Sequence, residues 1–238
     1  MTALNQKTTM NRIRRKLSIA AGALTLAAAV IGLPAQAADD AADAKEVVQK
    51  AQATVTAFSN HKDFPDFGAA LGQAKAVLIF PQILKAGFVL GGSGGTGVLM
   101  VRDEKTGAWS GPAFYTMGSA SFGFQAGASS AEMVMMVHTQ KALDSLFATK
   151  VKLGGDASVA VWKKGMGASA GLTDFVAFSM VKGAFAGMAV DGSVIDVRES
   201  LNAAYFGKPV TPVDILTKKE VSSPGSAGLQ AALKKAAK

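Results

Sequence analysis

Residues 75–97 read Lys-Ala-Val-Leu-Ile-Phe-Pro-Gln-Ile-Leu-Lys-Ala-Gly-Phe-Val-Leu-Gly-Gly-Ser-Gly-Gly-Thr-Gly. Residues 76–80 are apolar without alternation and have strand length, the pattern of a strand buried on both faces. Pro81 ends that run, since proline brings no N–H to a ladder. Lys85 interrupts the next apolar run. Gly91, Gly92, Gly94, Gly95 and Gly97 then crowd into seven residues. Glycine frees the backbone and offers no side chain to pack. The segment is therefore expected to form a flexible hairpin or bent edge between strands at 88–90 and 98–102.

Two catalytic-looking patterns overlap these glycines. Gly92-Ser93-Gly94-Gly95-Thr96-Gly97 fits the dinucleotide fingerprint, and residues 91–95 fit the Gly-x-Ser-x-Gly elbow of hydrolases. Both require a helix directly afterwards. Val98-Leu99-Met100-Val101 follows instead, which is strand-like. A hydrolase built on Ser93 would also need a base within hydrogen-bond reach. The chain has two histidines, His61 and His138, with no metal-ligand spacing between them.

Downstream the strand signals continue. Residues 103–107 read as a turn leading into a strand at 108–117. Residues 119–127 and 132–137 follow as strands. Thr139 caps a short helix at 140–147. Further strands are expected at 157–162, 173–181, 185–190 and 193–197, with Asp191-Gly192 as a hairpin turn between the last two. Short connections imply antiparallel pairing, and the scarcity of helices argues against a doubly wound sheet. Residues 229–238 form a weak terminal helix after the linker 222–228. Upstream, Ala44, Val47, Val48, Ala51, Val55 and Phe58 recur at helical spacing within a helix at 38–58. Asp39, Asp40 and Asp43 are expected in its first turns, where the helix dipole favours acids. Met117, Met133, Met135 and Met136 are read as soft core fillers, with an acyl-chain surface as the sharper alternative.

The first 37 residues have a separate logic. Arg12, Arg14, Arg15 and Lys16 precede an apolar run at 17–33, and Ala35-Gln36-Ala37 is a small-x-small triplet. This predicts a signal peptide cut after Ala37. The whole chain carries 25 Lys+Arg against 17 Asp+Glu. Five of the positive residues lie in the leader, so residues 38–238 keep 20 against 17, a net charge of +3. Most of the basicity leaves with the leader, which removes the usual argument for nucleic-acid binding. Cysteine is absent. That excludes disulfides, thiol catalysis and a lipoprotein anchor.

From 75 to 207 the chain resembles the SYLF domain family throughout. The pieces that carry the likeness are the 75–97 block, Trp109-Ser110-Gly111-Pro112-Ala113-Phe114, and Ser121-Phe122-Gly123-Phe124-Gln125-Ala126-Gly127-Ala128. Asp174-Phe175-Val176-Ala177-Phe178-Ser179, Lys182-Gly183-Ala184-Phe185-Ala186-Gly187, Asp191-Gly192 and Asn202-Ala203-Ala204-Tyr205-Phe206-Gly207 follow in the same order. The resemblance implies binding of anionic phospholipids. Met180-Val181 stand where many relatives carry an arginine between Ser179 and Lys182, which removes one cation that would meet a head group.

The expectation is an α+β protein with a β-rich, strongly curled antiparallel sheet or barrel-like core, an N-terminal helix and a few short helices. It comprises a leader (1–37) and one lipid-binding domain (38–238, core 75–207), exported to the periplasm or outer envelope of a bacterium. Lys85, Lys163, Lys164 and Lys182 are expected at the head group, and Phe88 and Phe185 at chains or the bilayer edge. No cofactor, metal, nucleic acid or catalysis is expected. The rivals are a structural envelope protein without a small ligand and an outer-membrane β-barrel. Against the barrel stands the two-sided apolar run at 76–80, where a spanning strand would alternate over about 9–11 residues.

Overall fold

The apolar run becomes the first half of β1 (Ala76–Gly87), the central strand of the protein. The computed structural model describes residues 32–87, 90–122, 127–148, 150–163, 173–181, 184–185 and 190–237. Leader residues Arg12, Arg14, Arg15 and Lys16 and most of the apolar run lie outside these. The chain divides at Asp40, and residues 41–238 form one compact unit.

β1 pairs with β2 (Leu90–Arg102) on one side and β4 (Gly127–Val137) on the other. β2 pairs with β3 (Trp109–Phe122), and β3 with β9 (Val194–Val197). β5 (Lys150–Lys152), β6 (Val159–Val161), β7 (Phe175–Val181) and β8 (Ala184–Phe185) complete the sheet. Its order is β5-β9-β3-β2-β1-β4-β7-β6, with β8 also on β7. Every pairing is antiparallel except β6 with β7. The two end strands, β5 and β6, are consecutive in sequence. They are joined by the turn at 153–157, whose Leu153 and Ala157 bridge each other. A sheet whose ends meet in one turn must curl, and this one is a half-barrel.

Both faces of the sheet are buried. The inner face holds Leu78, Phe80, Ile83, Met117, Met133 and Met135 together with Val151 and Leu153 from one end of the sheet and Val159 and Val161 from the other. Tyr115 donates its hydroxyl to the Leu146 carbonyl (2.7 Å). That bond ties α3 (Gln140–Phe147) to the inner face, and Thr139 caps the helix by accepting from Ala142 N–H. The outer face holds Val77, Ile79, Val98, Met100, Val134 and Phe178 beneath three helices: α1 (Gly32–Ser59), α2 (Phe67–Gln73) and α6 (Ala227–Ala236). Ala44, Val48, Ala51, Val55 and Phe58 of α1 are buried there, as its periodicity predicts. Phe58 stacks on Phe64 at 5.1 Å, and Phe67 and Trp162 both meet Phe178.

Four expectations need correction. The glycine segment is not a hairpin or a sheet edge: residues 91–97 lie within β2, paired with both β1 and β3. Asp191-Gly192 does turn, with Gly192 at φ +81° and Ser193 N–H on the Val190 carbonyl (3.1 Å). β9 forms no hairpin across this turn, however, because β3 and β5 occupy its two sides; residues 186–189 of the other expected strand lie outside the described residues. α1 starts at Gly32, so Asp39, Asp40 and Asp43 are not in its first turn. α4 (Glu199–Phe206) and α5 (Pro212–Leu216) stand where no helix is predicted.

The reason for the glycines is a bulge. Ile79 faces Val98, but Leu84 faces Gly94, so β1 carries one extra residue opposite β2; the same slip occurs opposite β4. Pro81 and Gln82 sit at this point, where the missing proline N–H does no harm. A Cβ on Gly95 would lie 2.2 Å from the Gln82 carbonyl oxygen. One on Gly97 would lie 2.4 Å from the Ile79 carbonyl oxygen. Only glycine lets β2 run this close to the bulged backbone.

Candidate functional site

Beyond the bulge, β1 to β4 project as a four-stranded end of small residues. Direct cross-strand partners share a face, so the register defines rows. One row on the inner face is Ser129–Lys85–Ser93–Ser119, across β4, β1, β2 and β3. The next row inward is apolar, with Ala131, Ile83 and Met117 buried. Lys85 and Ser129 are exposed, and Ser93 and Ser119 are half-buried with their hydroxyls 2.8 Å apart. Among the described residues Lys85 makes no ion pair, and no carboxylate stands in this row or the rows beside it.

On the outer face the neighbouring row is Ser130–Leu84–Gly94–Gly118–Val194, reaching β9. Leu84 is 58% exposed and Val194 36%. The glycines between them leave the two side chains about 14 Å apart, at three strand spacings. The next outer row, Ala128–Ala86–Gly92–Ala120, is small throughout. The projecting end is thus two-faced: cationic and hydroxylic inside, and outside mostly small and apolar, with Ser130 its one hydroxyl in these rows.

The predicted site residues do not all gather here. Lys85 is in the inner row. Lys163 is exposed two residues after β6, at the outer edge of β7, and Phe185 pairs through β8 with Met180 on that edge. β4 and β7 lie between this edge and β1. Phe88, Lys164 and Lys182 lie outside the described residues. Ser119 and Ser129 were missed because only the strand register reveals them, and Ser93 was read only within the glycine segment, as part of the dinucleotide and hydrolase patterns and of the family block. Its hydroxyl meets Ser119, and His138 stands nine residues beyond Ser129, about 30 Å along the strand direction.

A second feature lies under α1. Lys50, Thr54, Pro81, Gln82, Glu132 and Met180 line a cleft of about 370 Å³ beside the bulge. Burial raises the Glu132 carboxyl above its ordinary range, and a hydrogen bond with Thr54 opposes that rise. A third cleft, of about 590 Å³, lies between α4 and α5, lined by Phe147, Val197, Ala203 and Val210 together with Glu199 and Asp214. Among the described residues no group of His, Asp or Glu has metal-site geometry, and no helix is long and apolar enough to cross a membrane.

A family model described as "Las17-binding protein actin regulator", Ysc84, matches residues 118–236, half of the chain. The chain is 36% identical over 156 residues to LAS seventeen-binding protein 3 of Saccharomyces cerevisiae, covering 62% of this chain and 33% of the relative. It is 35% identical over 156 residues to Protein YSC84 of the same yeast, with the same coverage. It is 28% identical over 153 residues to human SH3 domain-containing YSC84-like protein 1, covering 61% of this chain and 44% of the relative. The chain therefore spans between a third and a half of the length of these curated relatives. It belongs to the Ysc84 family, whose domain is the SYLF domain named from the sequence.

Proposed function

We propose that this member of the Ysc84 family is an exported, non-catalytic binding protein that holds anionic phospholipid at the projecting end of its half-barrel. The observation that carries the reading is the pairing of Leu84 with Lys85. Among the described residues, the most exposed large apolar side chain sits beside a lysine without an ion-pair partner, at the rim of a sheet whose centre is buried on both faces. An amphiphilic surface needs both groups at one edge: an apolar contact for the chains and a cation for the head group. Charge-assisted contacts to phosphate are about twice as strong as neutral hydrogen bonds. Residues 38–238 carry only +3 in net charge, so attraction to an anionic surface has to be local. Lys163 and the edge of β7 offer a second contact in the same reading.

Export is part of the proposal. Cleavage after Ala37 would shorten α1 so that Asp39, Asp40 and Asp43 begin it, where acids complement the helix dipole. Intact-mass measurement of the secreted protein should then find Ala38 as the first residue.

The test of lipid binding is sedimentation with phosphatidylcholine vesicles carrying increasing phosphatidylglycerol or cardiolipin. Binding is expected to rise with anionic content and to fall with salt, because exposed charges are screened over about 8–10 Å near physiological ionic strength. Lys85→Ala and Leu84→Ser should each weaken it, and Lys234→Ala in α6 should not. A parent chain that ignores anionic vesicles would sink this reading in favour of a structural envelope role or of a protein partner. The yeast relatives are named for such a partner, LAS seventeen.

A further inference from the structure

We infer that the row Ser129–Lys85–Ser93–Ser119 is a phosphate-ester site. The inference rests on the binding role proposed above and assigns to it a ligand group and a set of donors. The sheet register places the four side chains directly opposite one another on the inner face. Strand spacing is about 4.8 Å, so a hydroxyl flanks Lys85 at that interval on each side, with a second hydroxyl beyond Ser93. A tetrahedral anion seated over Lys85 would meet donors from both neighbouring strands.

The hydroxyls have protons to give. Ser93 and Ser119 share one hydrogen bond (2.8 Å). A hydroxyl pair uses one proton between its two oxygens and leaves the other free to donate. Ser129 is exposed, and its hydroxyl has no hydrogen-bond partner among the described residues. Lys85 supplies the charge, and no carboxylate stands in this row or the adjoining ones to oppose an anion. One row inward the floor turns apolar, with Ile83, Ala131 and Met117 buried. A polar rim over an apolar floor suits a phosphate carrying an organic substituent better than a bare inorganic anion. The bulge at Pro81-Gln82 holds Lys85 on this face.

The phosphate can come from a lipid head group or from a free ester, and two arms separate them. In the first, the isotope-labelled full chain is titrated at constant ionic strength with inorganic phosphate and with glycerol 3-phosphate, followed by amide NMR. In the second, it is sedimented with phosphatidylglycerol vesicles. Each arm compares the parent with Ser93→Ala/Ser119→Ala/Ser129→Ala, with the corresponding triple threonine variant, and with Lys85→Gln, folding being checked by circular dichroism. The alanine triple and Lys85→Gln are expected to weaken binding about tenfold or more, given the usual worth of hydrogen bonds to charged groups. The threonine triple keeps the hydroxyls and should retain most of the affinity. Shifts at residues 85, 93, 119 and 129 with a free ester identify that source; loss in the vesicle arm alone identifies the head group. Free-ester binding by a chain that ignores vesicles would uphold this site while refuting the lipid reading. An alanine triple indistinguishable from the parent in both arms overturns the site, and leaves the lipid reading standing if the parent still binds vesicles.

Discussion

Replacing Gly95 by alanine tests the account of the glycine segment most directly. The new methyl would sit 2.2 Å from the Gln82 carbonyl oxygen, 3.1 Å from its carbon and 3.2 Å from the Ile83 Cα. All three are backbone atoms of the bulge, so no side-chain rotation relieves the contact. Overpacking a tight site costs about 1–3 kcal/mol and sometimes more; a clash this short against paired backbone belongs at the upper end. In a domain of this size about 3 kcal/mol lowers Tm by roughly 6–12 °C. The neighbour is the control. A Cβ on Gly94 would lie 3.5 Å from the Met117 carbonyl oxygen, an ordinary contact. Gly94→Ala should even gain about 0.4–1 kcal/mol by narrowing the unfolded ensemble. Thermal and urea unfolding of both variants reads the difference. If Gly94→Ala and Gly95→Ala shift stability alike, the glycines serve general flexibility and the close-approach argument is wrong.

Two further substitutions probe bonds that hold the fold together. Asn202 is fully buried and accepts Phe114 N–H at 2.8 Å. Asn202→Leu would strand that amide at a cost of about 1–3 kcal/mol, whereas exposed Ser200→Ala should stay within about 0.5 kcal/mol; urea unfolding of the two decides. Asp174 accepts from the Thr139 hydroxyl (2.5 Å) and from Ser158 N–H and Oγ–H (both 2.9 Å). The Thr139 bond, then those from Ser158, hold its carboxyl below the ordinary value. A depressed folded-state pKa stabilises above the unfolded pKa, and that stability is lost as pH falls through the folded value. Asp174→Asn should therefore destabilise at pH 7 and differ little from the parent near pH 2, as measured by denaturant unfolding across pH.

The parts legible in the sequence are those governed by local pattern. The two-sided apolar run at 76–80 marked the central strand, the spacing of Val48, Ala51, Val55 and Phe58 marked the packing helix, and Thr139 marked its short helix to the residue. Most of the failures are non-local. Gly95 and Gly97 looked like a hairpin because glycine density signals turns; here it answers to the backbone of another strand, which sequence spacing does not show. Asn202 was visible only as part of a family motif, since its partner Phe114 lies 88 residues away. α5 escaped notice although Thr211-Pro212-Val213-Asp214 carries a capping box with proline at its first position. That signal is local and legible in the sequence. The serine row was not available: Ser93, Ser119 and Ser129 become neighbours only once three strand registers are known.

The same bulge that demands the glycines also decides what the projecting end presents. In a regular strand residues an even number apart share a face. Phe80 and Ile83 are three apart, yet both are buried in the inner core. The extra residue at Pro81-Gln82 has therefore inverted the alternation of everything after it. Without it, Leu84 would face inward beside the buried core, and Lys85 would face outward between Gly92 and Ala128. With it, Lys85 joins the three serines and Leu84 joins Val194 on the opposite face. Proline makes a regular ladder costly at this position, and glycines at 95 and 97 make the irregular one possible. The three features quoted at the outset, the proline, the lone lysine and the glycine run, are thus parts of one device, which gives the end of the half-barrel two chemically distinct faces.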